Sequence, residues 1–148
     1  MKTCPEMMVE QIKLMKDRNW DVLYIAVDLH GTMIPKDIIN IDYTDFELYD
    51  YAKPVLQWMS NNDKIVLIIN TSTHIDERFD FMCAMYNNHN IEFSYHNGNP
   101  EVRNTKTGDF SEKFYYNILL DDRAGFDPLN DWLELHGNLK MFDELMGD

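Results

Sequence analysis

Val22-Leu23-Tyr24-Ile25-Ala26-Val27 is an apolar run that ends on a carboxylate, Asp28. Six residues are too few for a buried helix and enough for a strand covered on both faces. Gly31 follows where the chain must turn sharply, and Thr32 sets a hydroxyl beside the turn. A buried strand that delivers an acid to its carboxyl end points to an α/β sheet with its functional groups at one edge. A second run of the same character, Ile65 to Ile69, ends in Asn70-Thr71-Ser72-Thr73, where one hydroxyl could cap a following helix.

Helical periods lie around these runs. Between Pro5 and Arg18, Met8, Ile12 and Met15 recur at helical spacing among charges, predicting an amphipathic helix that packs on the sheet or on a neighbouring chain. Lys53-Pro54 opens a short helix through Asn61, with Val55, Leu56 and Met59 inward. A further helix is expected over Ile75 to Tyr86, with Phe79, Met82, Cys83 and Tyr86 on one face. Ile91 to Tyr95 reads as a weaker third strand, and His96 to Gly108 as a loop. Asn117 to Leu120 is the fourth strand, ending at Asp121-Asp122. A helix near Leu129 to Leu135 follows, with last turns that fit more than one reading.

This alternation predicts an α/β fold: a three-layer Rossmann-like, mostly parallel sheet with helices on both faces. The 148 residues make one domain, with an N-terminal helix over 1–19 and a core over 20–136.

A net charge of −13 leaves no basic excess to replace the counterions of DNA or RNA, so a nucleic-acid partner is not expected. Small phosphorylated ligands are still open. Cys4 and Cys83 are far apart and read as free, reduced thiols. Charges at Glu6, Glu10, Lys13, Lys16, Asp17 and Arg18 leave no signal-peptide core, and no run reaches the ~18 apolar residues of a membrane span. The expectation is a cytoplasmic protein.

Five residues should meet at the sheet edge: Asp28, Thr71, Lys113, Asp121 and Asp122. Carboxylates on neighbouring strand ends suit Mg²⁺, which favours oxygen ligands together with ligand phosphate. The second oxygen of Asp28 could attack phosphorus. Thr71 and Lys113 would hold the transferring oxygens, with Lys106 as a rival lysine and Ser72 as an alternative hydroxyl. Asp121 is placed nearer the metal, with Asp122 orienting it or a water, although the order can be reversed. Arg123 would pair with a phosphate or with the acids. His74, His89, His96 and His136 have no spacing that suggests a transition-metal site.

Asp28-Leu29-His30-Gly31-Thr32 resembles the Asp-x-Asp-Gly-Thr first motif of the haloacid-dehalogenase-like hydrolase superfamily. Thr71 matches the Ser or Thr of the second motif, Lys113 in Phe110-Ser111-Glu112-Lys113 the lysine of the third, and Leu119-Leu120-Asp121-Asp122 the acidic pair of the fourth. The resemblance spans about residues 20 to 136. It implies a Mg²⁺-dependent phosphatase that forms an aspartyl-phosphate on Asp28. It also implies that the backbone carbonyl of His30 is a metal ligand.

His30 is the departure, standing where the resemblance calls for a second acid that protonates the leaving group. Imidazole can serve as acid or base near neutrality, but a protonated ring would repel Mg²⁺ unless it points away. Phosphohydrolase chemistry is the first reading. A metal- or phosphate-binding protein without turnover is the second, and a response-regulator-like phosphate acceptor the third. The third expects an acidic pair after the first strand rather than the last.

Members of that superfamily often carry a cap domain inserted after the first or the third strand, and this chain resembles a small member with no large cap domain. Only residues 33–52 and about 96–110 are free for one, too few for an independent domain. An open site suits a large substrate or one completed by a neighbouring subunit of a homo-oligomer. The segment from Asp37 to Tyr51, with acids alternating with aromatics, is either a gate or a solvated loop with its rings tucked onto the sheet.

Overall fold

The strand β1 spans Leu23–Asp28 and lies between β2 (Ile65–Asn70) and β4 (Ile118–Leu120), with β3 (Tyr95–His96) beyond β2. The computed structural model describes residues 2–36, 40–105, 108–110 and 113–147. Asp37, Lys106, Thr107, Ser111 and Glu112 therefore lie outside the described residues. All pairings are parallel, giving the order β3-β2-β1-β4. The fold is a small Rossmann-like α/β architecture, and no cap domain interrupts it among the described residues.

The helices are α1 (Cys4–Asp17), α2 (Ala52–Ser60), α3 (Ile75–His89), α4 (Asp131–Gly137) and α5 (Leu139–Met146). Thr3 starts α1 with a reciprocal cap: its hydroxyl oxygen accepts from the Glu6 N–H at 3.2 Å, and Glu6 reaches back to that hydroxyl. Met8, Ile12 and Met15 on α1 are buried as their spacing predicts, and α1 packs on α4 and α5. Leu23, Ile25 and Val27 of β1 and Leu67 and Ile69 of β2 join Val55, Leu56 and Met59 of α2 in the main core. Ala26 and Ile68 are also fully buried, so β1 and β2 are covered on both faces. Tyr24 meets the segment before β4: its ring packs edge-on to Tyr115 at 6.0 Å, and its hydroxyl donates to Glu101.

Several details differ from the sequence expectations or settle what they left open. The third strand is Tyr95–His96 rather than Ile91 to Tyr95. Helix α3 runs on to His89 and closes on Asn90 in the left-handed region, so residues 91–94 carry the chain back to the sheet. Ile91 and Phe93 bury alternate side chains there without strand pairing. On α3 the buried residues are Phe81, Ala84 and Met85, whereas Phe79, Cys83 and Tyr86 are exposed. His74 precedes α3 without a side-chain cap, because the hydroxyls of Thr71 and Thr73 bond each other. Finally, the ambiguous tail is helix α5, which buries Phe142 and Met146.

No helix among the described residues is long and apolar enough to cross a membrane. Cys4 and Cys83 are free thiols.

Candidate active site

Register alone brings the acids together. Asp28 is paired with Asn70, and Val27 with Leu120, so the next residues along β2 and β4, Thr71 and Asp121, flank Asp28 at the carboxyl edge. Neighbouring strands lie about 4.8 Å apart, which sets the scale of the site. Asp28, Asp121 and Asp122 each offer a carboxylate oxygen within 4.8 Å of the other two.

The turn after β1 locks this cluster. Met33 and Ile34 N–H groups both donate to the Leu29 carbonyl, and Gly31 N–H donates to Ile34 O at 2.7 Å. Gly31 sits at φ +82°, and a Cβ there would fall 2.6 Å from Asp122 Oδ2. Only glycine allows both the turn and the approach of Asp122. Thr32, fully buried, accepts the Asp122 N–H at 2.9 Å. Its hydroxyl lies 3.4 Å from Asp28 Oδ2 and 3.4 Å from Asp122 Oδ1. Behind it, the Trp132 indole N–H of α4 donates to the Thr32 carbonyl at 2.8 Å.

Charge is concentrated here. Burial, then the charge of Asp121 and a hydrogen bond with Asp122, push the Asp28 carboxyl up to about 7. Asp122 moves the other way: burial opposes its charge, but the Lys36 ammonium and the hydrogen bond with Asp28 outweigh it and hold its carboxyl low. The cation on the acids is Lys36, with Nζ 3.2 Å from Asp122 Oδ2. Lys113 is exposed in the segment ahead of β4, and no hydrogen bond or ion pair joins it to another described residue. Asp121 turns an oxygen to the Arg123 N–H, while Arg123 itself is exposed.

Hydroxyls and His30 form the other side. Thr71 and Thr73 are buried, with their oxygens 2.8 Å apart, whereas Ser72 is exposed. Asn97 clamps the Thr71 peptide, accepting from its N–H at 2.8 Å and donating to its carbonyl at 2.7 Å. Arg78 donates to the Thr73 carbonyl and contacts His96 Nδ1. His30 points its ring away from the acids: Nε2 lies 2.8 Å from the Tyr43 hydroxyl and Nδ1 3.5 Å from Thr73 Oγ1. Burial, against the charge of Glu77, lowers its pKa and disfavours the imidazolium. A ring directed elsewhere lessens the repulsion expected of an imidazolium beside a cation.

The aromatic segment after the turn is tacked down. Phe46 packs on Phe81 at 4.6 Å and stacks on His89, and Asp42 accepts from the Thr44 N–H and hydroxyl in a local turn. Between it and α3 lies an open cleft of about 700 Å³ that includes His30, Lys36, Tyr43 and Glu77.

Sequence reasoning missed four positions: Lys36, Tyr43, Asn97 and Trp132. Lys36 is the lone cation of an acidic segment from 33 to 52, a signal the sequence did contain. The others carry no comparable mark. No family model, curated protein or solved structure matches this chain.

Proposed function

We propose that the chain is a Mg²⁺-dependent phosphohydrolase of the haloacid-dehalogenase-like superfamily that works through an aspartyl-phosphate on Asp28. The observation that carries this reading is the convergence of three carboxylates within 4.8 Å on the ends of two neighbouring strands. Without a cation such a cluster repels itself, and the charge of Asp121 adds to burial in raising the Asp28 carboxyl. Hard oxygen donors are what Mg²⁺ takes, so Asp28, Asp121 and Asp122 fit it and would hold it. Bound there, the ion would neutralise phosphate charge and keep Asp28 ionised.

The chain's own residues supply the remaining functions. One Asp28 oxygen attacks phosphorus, with Thr32 fixing the carboxylate from below. The Thr71 hydroxyl, on a peptide clamped by Asn97, meets a phosphoryl oxygen. Lys36 takes the part that the sequence assigned to Lys113, a mobile ammonium at the cleft mouth that can shift from Asp122 to phosphate.

The test is hydrolysis of phosphomonoesters with and without Mg²⁺. Turnover that needs the ion and disappears in Asp28→Asn supports the reading; ion-independent turnover, or turnover that survives the substitution, overturns it. A binding protein without turnover is the second reading, favoured by the engagement of both ring nitrogens of His30. Stabilisation by Mg²⁺ and phosphate with no hydrolysis across a phosphomonoester panel would establish it.

A further inference from the structure

We infer that a cleft at the start of β1 is a second ligand site, which takes a trimethylammonium group between aromatic rings and carboxylates. Trp20, Asp21, Tyr24, Glu101, Tyr115 and Asn117 line this open space of about 520 Å³. Tyr24 stands four residues ahead of Asp28 on β1, roughly 13 Å along an extended strand. None of the residues assigned to phosphate chemistry lines the cleft, so the inference stands apart from the phosphohydrolase reading.

A continuous set of hydrogen bonds fixes the walls. The rings of Tyr24 and Tyr115 stand at 89° with centroids 6.0 Å apart, which turns two aromatic faces at right angles. Asn117 ties both residues: its side-chain oxygen accepts the Tyr24 N–H at 2.8 Å, and its amide donates to the Tyr115 hydroxyl at 3.1 Å. Buried Asn99 donates to the Tyr115 carbonyl at 2.9 Å and accepts the Glu101 N–H at 3.1 Å. The Glu101 carboxylate is gripped in turn by two phenols, Tyr24 donating at 3.1 Å and Tyr95 at 2.6 Å. Rings and carboxylate are therefore in place before any ligand arrives.

These walls select a cation, and one with no hydrogens to donate. Aromatic faces carry the negative part of the ring quadrupole and attract positive charge. Trp20 shows that attraction within the chain, with the Arg18 guanidinium carbon 5.5 Å from its ring centre. Glu101 and Asp21 add two carboxylates, and no lysine or arginine lines the cleft. Each Glu101 oxygen already accepts a phenol hydrogen. Burial, then the hydrogen bond and charge of Glu101, push the Tyr24 phenol up to about 12, so its hydrogen stays on that bond. A primary ammonium brings three donors that need acceptors. A trimethylammonium brings none and lays its methyl groups on the rings. The volume lies within the ~300–1,000 Å³ of small-molecule sites, which leaves room for the chain that carries the head group.

The group can arrive free, as in choline, or on a trimethyl-lysine side chain, and calorimetric titration of the intact protein tells these sources apart. Its probes are choline, a trimethyl-lysine peptide, the same peptide unmethylated, and 3,3-dimethylbutan-1-ol, the uncharged copy of choline. Choline or the methylated peptide should bind saturably at one site. The neutral alcohol and the unmethylated peptide should each bind at least about 10-fold more weakly. Tighter binding of the methylated peptide assigns the site to a protein partner, tighter binding of choline assigns it to a free ligand, and both support it. Trp20→Leu and Glu101→Gln should each weaken binding by about 5- to 10-fold, and either one serves if the other does not fold. Equal affinity for the neutral alcohol, no saturable binding of either trimethylammonium probe, or unchanged affinity in the folded variants overturns the assignment.

Discussion

The two sides of the site are held by different means. On the acid side, Asp28 and Asp121 are placed by strand register, and Asp122 by a glycine turn and by its own N–H donating to the Thr32 hydroxyl. On the hydroxyl side, Thr71 is set beside Asp28 by register, but Thr73, His30 and Tyr43 join it through side-chain hydrogen bonds from residues outside the helices and named strands. Backbone placement leaves the acid side little room to adapt. Side-chain placement lets the other side change residues, which is why a histidine can stand at position 30 without disturbing the carboxylates.

Substitutions can break that contrast, and the largest effect is expected at the nucleophile. Asp28→Asn should lower phosphomonoesterase turnover at least about a thousandfold, read by phosphate release, while the protein stays folded. Gly31→Ala should come next. A left-handed backbone position and a methyl 2.6 Å from a carboxylate oxygen together cost roughly 2–4 kcal/mol, measurable by urea unfolding. Its Mg²⁺ affinity should fall in the same variant. Trp132→Phe removes one buried hydrogen bond and some volume, for about 2 kcal/mol.

A smaller effect separates the sides by pH. The Asp28 carboxyl titrates near 7 when folded, above its ordinary value, so its favourable protonated form is fully present below about pH 4. That contribution is lost as pH rises toward and through 7. Because Asp28 is half-exposed, screening limits the effect to about 1–2 kcal/mol. The melting temperature of the metal-free protein should therefore fall across this window, and saturating Mg²⁺ should flatten the fall. A stability curve unchanged by Mg²⁺ would remove the cation from the acid side. Smallest of all, Thr73→Val should cost within about 1 kcal/mol and leave Mg²⁺ affinity, read by titration calorimetry, where it was.

What the sequence revealed follows the same division. Asp28, Thr71 and the Asp121-Asp122 pair were legible because each follows an apolar run, and a parallel sheet puts the ends of such runs together. Lys36 and Tyr43 were not assigned because no period fixes the path of residues 33–43. Lys113 was chosen for its distance ahead of a strand, and that spacing says nothing about where an irregular segment points. On α3 the spacing grouped Phe79, Met82, Cys83 and Tyr86 on one face without saying which face turns inward. Apolar residues surround that helix, so periodicity alone could not choose Phe81 and Met85 over Phe79 and Tyr86. The short β3 reflects competition between α3 and the sheet for residues 90–94, which local propensity does not decide.

The bond from Trp132 to the Thr32 carbonyl also equips the protein with its own optical gauge. Of the three tryptophans, Trp132 is the one wholly shielded from water, so its emission should lie at the blue edge of the fluorescence spectrum. Any rearrangement of the turn that cradles the acids changes the partner of its indole nitrogen. Occupancy of the site should be readable from intrinsic emission alone, with no dye attached.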